Sequence, residues 1–298
     1  MRTLTVFTPA FNRAHTITRT YNSLCQQTCM DFEWLVIDDG STDDTRALIE
    51  KWQKEHLIDI RYVYQENQGM HGAHNTAYKN ITTELNVCID SDDWMPTDAV
   101  EKIVKYWREF GSDKLAGLVG LDKTESGRVI GERLPENVKK IKLLDYYNKF
   151  HGSGDKKLVY RTDVIKQYPE YPIFNGEKYV GLVYKYALID KDYDLVPINE
   201  VLCIVDYQND GSSRSMWKQY WNNPQGCSFM RKQEMQWNVP FIRKVMVNVH
   251  YVSHSVRSRN VKFLRESPMP VVTFCMIIPG IILFMVNFYK VRNNIKMK

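Results

Sequence analysis

Asp90-Ser91-Asp92-Asp93 places three carboxylates within four residues. Neighbouring carboxylates repel, so such a turn is comfortable mainly when a cation sits among its oxygens. An all-oxygen donor set suits Mg2+ or Mn2+ rather than zinc, and magnesium keeps few protein ligands and shares phosphate oxygens. The expected ligand is therefore a nucleotide diphosphate. Three other polar segments invite chemistry: Thr8-Pro-Ala-Phe-Asn-Arg13, Asp38-Asp-Gly-Ser-Thr-Asp43 and Asn67-Gln-Gly-Met-His-Gly-Ala-His-Asn75. Where the first turns towards a helix, at Phe11, Asn12 and Arg13, backbone N–H groups suit a nucleotide or phosphate. In the second, Asp38 and Asp39 end a strand while Ser41 or Thr42 can cap the next helix.

Alternating elements must carry these segments. Leu4–Thr8, Glu33–Asp38, Ile60–Gln65 and Leu85–Asp90 read as short apolar strands, and Ala14–Gln27, Thr42–Lys54, Gly72–Lys79 and Thr97–Phe110 as helices. Asp43 and Asp44 are expected in the first turn of the second helix, where the helix dipole favours acids. Strand followed by helix, four times, predicts an α/β fold with a mainly parallel sheet flanked by helices. Ligand chemistry in such sheets sits beyond the carboxyl ends of the strands, where all four polar segments fall.

In this order and spacing, the four segments resemble the donor half of family 2 glycosyltransferases of the GT-A fold. The resemblance is strong over residues 2–110 and looser over about 150–215. It implies an inverting transfer of a sugar from a UDP-sugar, with Mn2+ or Mg2+ held by an Asp-x-Asp motif. On that likeness Thr8, Pro9 and Phe11 line the uridine pocket, with Asn12 and Arg13 beside it, and Asp39 accepts from the uracil imide. Asp92 ligates the metal, Asp90 contacts ribose, the ion or its water, Ser91 lies between them, and Asp93 supports the turn or caps the helix after Pro96. Asn67, Gly69 and Asn75 belong to the donor site, Asn75 bonding backbone beside the acidic turn. His71 or His74 either touches a diphosphate oxygen or simply packs.

An inverting transfer needs a base to take the acceptor proton. By the same resemblance this is Glu177 in Phe174-Asn-Gly-Glu-Lys-Tyr-Val180, opening a helix, although Lys178 stands where a second acid is usual. Asp155 in Gly154-Asp-Lys-Lys157 is the second candidate. Tyr207-Gln-Asn-Asp-Gly-Ser-Ser-Arg-Ser215 matches the family's closing segment, with Asn209 in place of the usual His and Arg214 available to the pyrophosphate. A nucleotidyltransferase would carry a Gly-rich, basic phosphate loop after the first strand, which Thr8–Arg13 is not. Two alternatives remain: transfer to a polyprenyl phosphate, which needs no hydroxyl deprotonation, and a catalytically silent membrane-bound scaffold.

Composition bounds the rest. The chain has 298 residues, 44% of them apolar and 25% charged, values of an ordinary globular protein. The net charge of +5 is uneven, because residues 243–298 sum to +9 and the remainder to −4. An acidic body with a basic tail argues against nucleic acid as a partner and for an anionic surface at one end. The six cysteines are scattered without a CxxC pair and read as free thiols in a reducing compartment. The opening stretch, short in apolar residues and interrupted by Pro9 and Asn12, is not expected to be a signal peptide.

Val271–Tyr289 is nineteen uncharged residues, interrupted by Pro279-Gly280 and flanked on both sides by basic residues. One span is just possible, but it leaves positive charge on both sides of the membrane, so a broken hairpin or interfacial anchor fits better. The expected organisation is 1–215 catalytic (1–110 nucleotide-sugar half, 111–215 acceptor half), 216–266 amphipathic and helical, and 267–298 a hydrophobic anchor with a basic tail. This C-terminal helical membrane-associating extension would meet the anionic inner membrane surface. With the resemblance, it places the enzyme on the cytoplasmic face of a bacterial inner membrane, peripheral, monotopic or held by one C-terminal segment. The acceptor is then an oligosaccharide on polyprenyl diphosphate, in surface polysaccharide synthesis.

Overall fold

The computed structural model describes residues 2–206 and 216–296, with side chains as far as residue 292. Contacts divide the chain into two compact units, 1–170 with 185–208, and 171–184 with 209–298. The segment around Glu177 thus groups with the C-terminal part of the chain, whereas the sequence reading placed it within a continuous 1–215 domain.

In the first unit, β1 (Leu4–Ala10), α1 (Ile17–Cys25), β2 (Phe32–Asp38), α2 (Thr45–Glu55), β3 (Ile60–Tyr64), α3 (Met70–Asn80), β4 (Leu85–Cys88) and α4 (Ala99–Phe110) follow the expected alternation. Then come β5 (Leu115–Thr124), α5 (Leu143–Asn148), β6 (Lys156–Arg161), α6 (Thr162–Gln167), α7 (Val183–Asp192) and β7 (Asp194–Val205), the unit boundary falling in the first turn of α7. One seven-stranded sheet runs in the order β3-β2-β1-β4-β6-β5-β7. β3, β2, β1 and β4 are parallel, β6 is antiparallel to both its neighbours, and β7 is parallel to β5.

β1 and β2 are buried along their full length, which is why they read as continuous apolar runs rather than alternations. Pro9 sits inside β1 without cost for a local reason. The β1–β4 pairing ends at Phe7↔Cys88, and Phe7 and Pro9 point the same way along the strand, so the N–H that proline lacks faces the side where β4 has stopped. Apolar residues on one face of the sheet form a core with the helices that cover it, Leu4, Val6 and Trp34 from the strands packing with Ile17, Leu24, Ile103 and Val104. Trp34 is fully buried, lies 6.1 Å from the rings of both Tyr21 and Trp52, and donates its indole N–H to Thr8 Oγ1 at 3.0 Å.

Two helices begin three residues later than expected. α2 begins at Thr45, so Asp43 and Asp44 precede the helix instead of lying in its first turn. α1 begins at Ile17, after a turn in which Thr16 and Ile17 N–H both bond Arg13 O.

The second unit is helical: α8 (Met216–Asn222), α9 (Pro224–Glu234), α10 (Phe241–Arg257), α11 (Phe263–Glu266), α12 (Pro270–Cys275) and α13 (Ile277–Lys296). Pro279 does not break the apolar tail. It occupies the first turn of α13, where a missing N–H is tolerated, and the irregularity falls at Met276 instead. Among the described residues no helix is long and apolar enough to cross a membrane.

Replacing Trp34 by Ala is expected to remove about 3–5 kcal/mol of stability, because it empties a site at the centre of the aromatic cluster and strands the Thr8 hydroxyl. A urea titration of Trp34→Ala against wild type checks this.

Candidate active site

The four polar segments do meet, because β1 to β4 run in parallel and end on the same side of the sheet. The first is laced to the second. Asn12 N–H donates to Ser41 Oγ at 2.9 Å, Arg13 N–H to Thr45 Oγ1 at 2.9 Å and Ala14 N–H to Asp43 Oδ2 at 3.0 Å. Asn12 Oδ1 in turn accepts from Thr42 N at 2.8 Å, and Asn12 adopts φ 54°, a left-handed conformation that asparagine tolerates better than most residues. Two of the N–H groups expected to meet a phosphate, those of Asn12 and Arg13, are thus used inside the rim. Ser41 and Thr42 do not cap α2, because Asp43 Oδ1 takes the Thr45 N–H instead.

Asp39 fastens the second segment to the third. Its carboxylate is buried and accepts from Gln68 N at 2.8 Å, Gly69 N at 2.8 Å and Gln65 Nε2 at 2.6 Å. Asp38 is held by Ser41 N and by the Tyr62 hydroxyl at 2.6 Å. The approach is close enough to require glycine at position 40: it has φ +86°, and a Cβ there would lie 2.9 Å from Asn67 N. Thr8 and Pro9 are buried within β1, Thr8 against Trp34, whereas Phe11 is 46% exposed at the mouth of the rim. Asn67 and Gly69 are half-buried, and Asn75 is buried on α3.

His74, also on α3, is edge-on to Phe7 at 5.0 Å, 3.1 Å from Tyr78 Oη and 3.6 Å from Cys88 Sγ. Burial, with Lys185 and His71 nearby, pushes its pKa down to about 3. It is a packed neutral imidazole, which is the second of the two roles weighed for it.

The acidic turn follows β4. Asp90 and Asp92 are half-buried, while Ser91 and Asp93 are buried. Asp93 does not cap α4. Its Oδ1 accepts from Asp206 N at 3.2 Å, its Oδ2 lies 3.8 Å from Cys203 Sγ, and its carbonyl accepts from Thr20 Oγ1 at 2.7 Å. Trp94 continues the anchoring through a two-way backbone bridge to Ile204 on β7. Burial and the neighbouring Asp90 push the Asp93 carboxyl up to about 8.

Lys157, which the sequence reading passed over, supplies the opposing charge. Its side chain is nearly buried on β6, with Nζ 3.9 Å from Asp122 Oδ1. Burial works against its charge, but Asp122, Cys203, Asp93 and Asp90 outweigh it and hold the ammonium well above its ordinary value. Asp122 itself is pushed up to about 6 by burial, against the pull of Lys157. The signal was the Lys156-Lys157 doublet in a strand. Alternation sends one lysine to each face, and Lys156 Nζ bonds the carbonyls of Ile130 and Ser153.

Among the described residues no three His, Cys, Asp or Glu side chains are arranged to hold a metal ion by themselves. The oxygen-only donors Asp90 and Asp92 fit a hard cation that completes its shell with diphosphate and water.

The remaining candidates lie elsewhere. Asp155 is exposed just before β6. Glu177 does not open a helix, since α7 starts at Val183. It is buried in the second unit and caps α9, accepting from Gln225 N and Gly226 N at 2.8 Å each. Asn209 and Arg214 lie outside the described residues.

Residues 5–168 match the family described as Glycosyl transferase family 2. An uncharacterized glycosyltransferase of Nostoc sp. (strain PCC 7120) is 29% identical over 57% of this chain and 54% of its own. The chondroitin synthase of Escherichia coli is 34% identical over 36% of this chain and 15% of its own. The poly(ribitol-phosphate) beta-N-acetylglucosaminyltransferase TarP of Staphylococcus aureus is 28% identical over 49% of this chain and 45% of its own. The chain thus spans about half or less of these curated relatives. S. aureus TarS 1–349 in complex with UDP-GlcNAc superposes with TM-score 0.57 at 20% identity, covering 89% of this chain and 76% of that one. A mannosyltransferase from Pyrobaculum calidifontis, in complex with GDP-Man and Mn2+, gives 0.55 at 16% identity over 96% and 88%. At these identities the likeness is one of fold.

Two outcomes are expected. Lys157→Met leaves buried carboxylates without their counter-charge and is expected to cost about 3–5 kcal/mol. Added Mn2+ should return part of this, which thermal unfolding with and without MnCl2 reads. His74 has a folded pKa below its unfolded value of 6.5. The stability it contributes is complete above pH 6.5 and is lost as pH falls towards 3, because the unfolded chain takes up the proton first. Urea midpoints of wild type should fall more steeply over that window than those of His74→Phe.

Proposed function

From the premise that the chain belongs to glycosyl transferase family 2 and is a glycosyltransferase, we propose that it moves a sugar from a UDP-sugar to a hydroxyl of a lipid-linked oligosaccharide, with inversion. The observation that carries this reading is the acidic turn at the end of β4, braced by α1, β7 and Lys157 beside three other strand-end segments. Asp92 and Asp90 would hold Mn2+ or Mg2+, which neutralises charge on the departing diphosphate. Phe11 offers an exposed ring for the base at the mouth of the rim. Asp39 orders the rim through its three N–H bonds, and it accepts from the uracil imide if a further lone pair is presented there.

The acceptor oxygen attacks the anomeric carbon as the bond to the diphosphate breaks, and a carboxylate takes the hydroxyl proton. Glu177 is the candidate base and Asp155 the second. On this reading the enzyme works at the cytoplasmic face of a bacterial inner membrane, in surface polysaccharide synthesis, which the basic residues flanking the apolar tail support.

One observation favours a second reading. Both oxygens of Glu177 already serve the N-terminus of α9. Transfer to a polyprenyl phosphate needs no base, because that acceptor oxygen is already ionised.

Calorimetric titration of UDP-, GDP- and dTDP-sugars with Mn2+ should show one UDP-sugar binding to wild type and not to Asp92→Ala. Loss of all binding in folded wild type would remove the reading. Glu177→Gln should then keep donor binding and lose transfer by about a hundredfold or more if Glu177 is the base. Unchanged turnover per folded molecule, with lowered stability, would assign it to capping alone and support the second reading.

A further inference from the structure

The outward face of α12 and α13 is apolar at helical spacing. Val271, Phe274, Ile278, Ile282, Met285 and Tyr289 recur every three or four residues, and all are exposed, Val271 at 76%, Ile278 at 71% and Tyr289 at 58%. The stripe passes through Met276 because the helical bonding nearly does: Met276 N–H donates to Val272 O and Gly280 N–H to Met276 O. Soluble monomers rarely leave contiguous apolar surface of this kind uncovered.

The opposite side of the same helices is firmly seated. Thr273 Oγ1 bonds both Asn248 Oδ1 and Ser267 Oγ, and Asn248 Nδ2 donates to Lys244 O at 2.8 Å. Gly280 packs so closely on α10 that a Cβ would lie 2.4 Å from Val252 Cβ. Trp221 stacks on Phe284 with centroids 5.8 Å apart. The stripe is thus one face of a packed unit.

Charge identifies what covers it. Arg257, Arg259, Lys262 and Arg265 precede the stripe. Lys290, four residues after Val286, and Arg292, seven after Met285, extend it. Glu266 is the one acid in residues 243–298, and it is paired with Lys232 at 3.2 Å. A second copy docked through the same face would set these cations against themselves, whereas anionic headgroups neutralise them. A span is disfavoured by α10, which packs on α13 and would take Asn248, His254 and Arg257 into hydrocarbon with it.

We propose that this stripe lies in the plane of an anionic lipid bilayer, with its side chains in the headgroup–acyl boundary and the basic residues against the headgroups. This names how the tail meets the membrane invoked for the function, and it is tested without donor or acceptor, so it stands or falls separately from glycosyl transfer.

The test is flotation of the full chain with phosphatidylcholine vesicles and with vesicles containing phosphatidylglycerol. Wild type is compared with the triple variant Ile278→Asp, Ile282→Asp and Met285→Asp, whose fold is checked by circular dichroism and urea unfolding. Wild type should bind the anionic vesicles, about tenfold or more weaker without phosphatidylglycerol or at high salt, and the folded triple variant should lose binding by about a hundredfold. Equal binding to neutral vesicles, no binding, or undiminished binding by the folded variant overturns the proposal. So does binding that resists alkaline carbonate, which means a span. A wild-type dimer that dissociates in the variant, without vesicle binding, assigns the face to a second copy.

Discussion

The buried ammonium of Lys157 faces the carboxylates of Asp90, Asp93 and Asp122 from one strand of the sheet. Burying like charges together is among the costliest arrangements a protein can adopt, and it persists only when opposite charge is fixed nearby. Much of the first unit follows from meeting that condition. β6 runs antiparallel between β4 and β5 and so delivers Lys157 beside the acidic turn. β7 brings Cys203 and the Asp206 N–H to Asp93. Burial first, and the neighbouring Asp90 second, raise the Asp93 carboxyl.

The rest of the rim is built by a different means. Strand-end loops expose backbone donors, and each unsatisfied buried donor is expensive. Here the loops satisfy one another: Ser41, Asp43 and Thr45 serve the first loop, and Asp39 serves the third. Residues that a motif reading assigns to ligand are therefore doing structural duty, and a preorganised rim results. Preorganisation is what electrostatic stabilisation of a departing diphosphate requires, because loops that need not rearrange keep their dipoles aimed.

The second unit applies the same economy to an opposite problem. A buried network of Asn248, Ser267 and Thr273 pins one side of the apolar tail, and a glycine lets α13 close on α10. What remains outside is apolar along one stripe and basic at its ends, a distribution that water alone does not favour.

Strand identity, parallel order and the convergence of four polar segments were legible in the sequence, because they depend on local hydrophobic runs and on the rule that loops follow strands. So was the cost of crowding at Asp90–Asp93, since that repulsion lies between near neighbours in the chain. Lys157 was not legible. Its partners lie 35, 64 and 67 positions away, and only the antiparallel insertion of β6 brings them together. Nor was the partner of Glu177, which opens no helix of its own and instead caps the N-terminus of α9, accepting from Gln225 N, 48 residues on. The course of the tail through Pro279 also needed the structure, because a proline breaks a helix or starts one according to where the first turn falls. The sequence determined which groups must be neutralised, capped or covered, and tertiary structure decided which distant residue does each, because charge and hydrogen bonding act through space rather than along the chain.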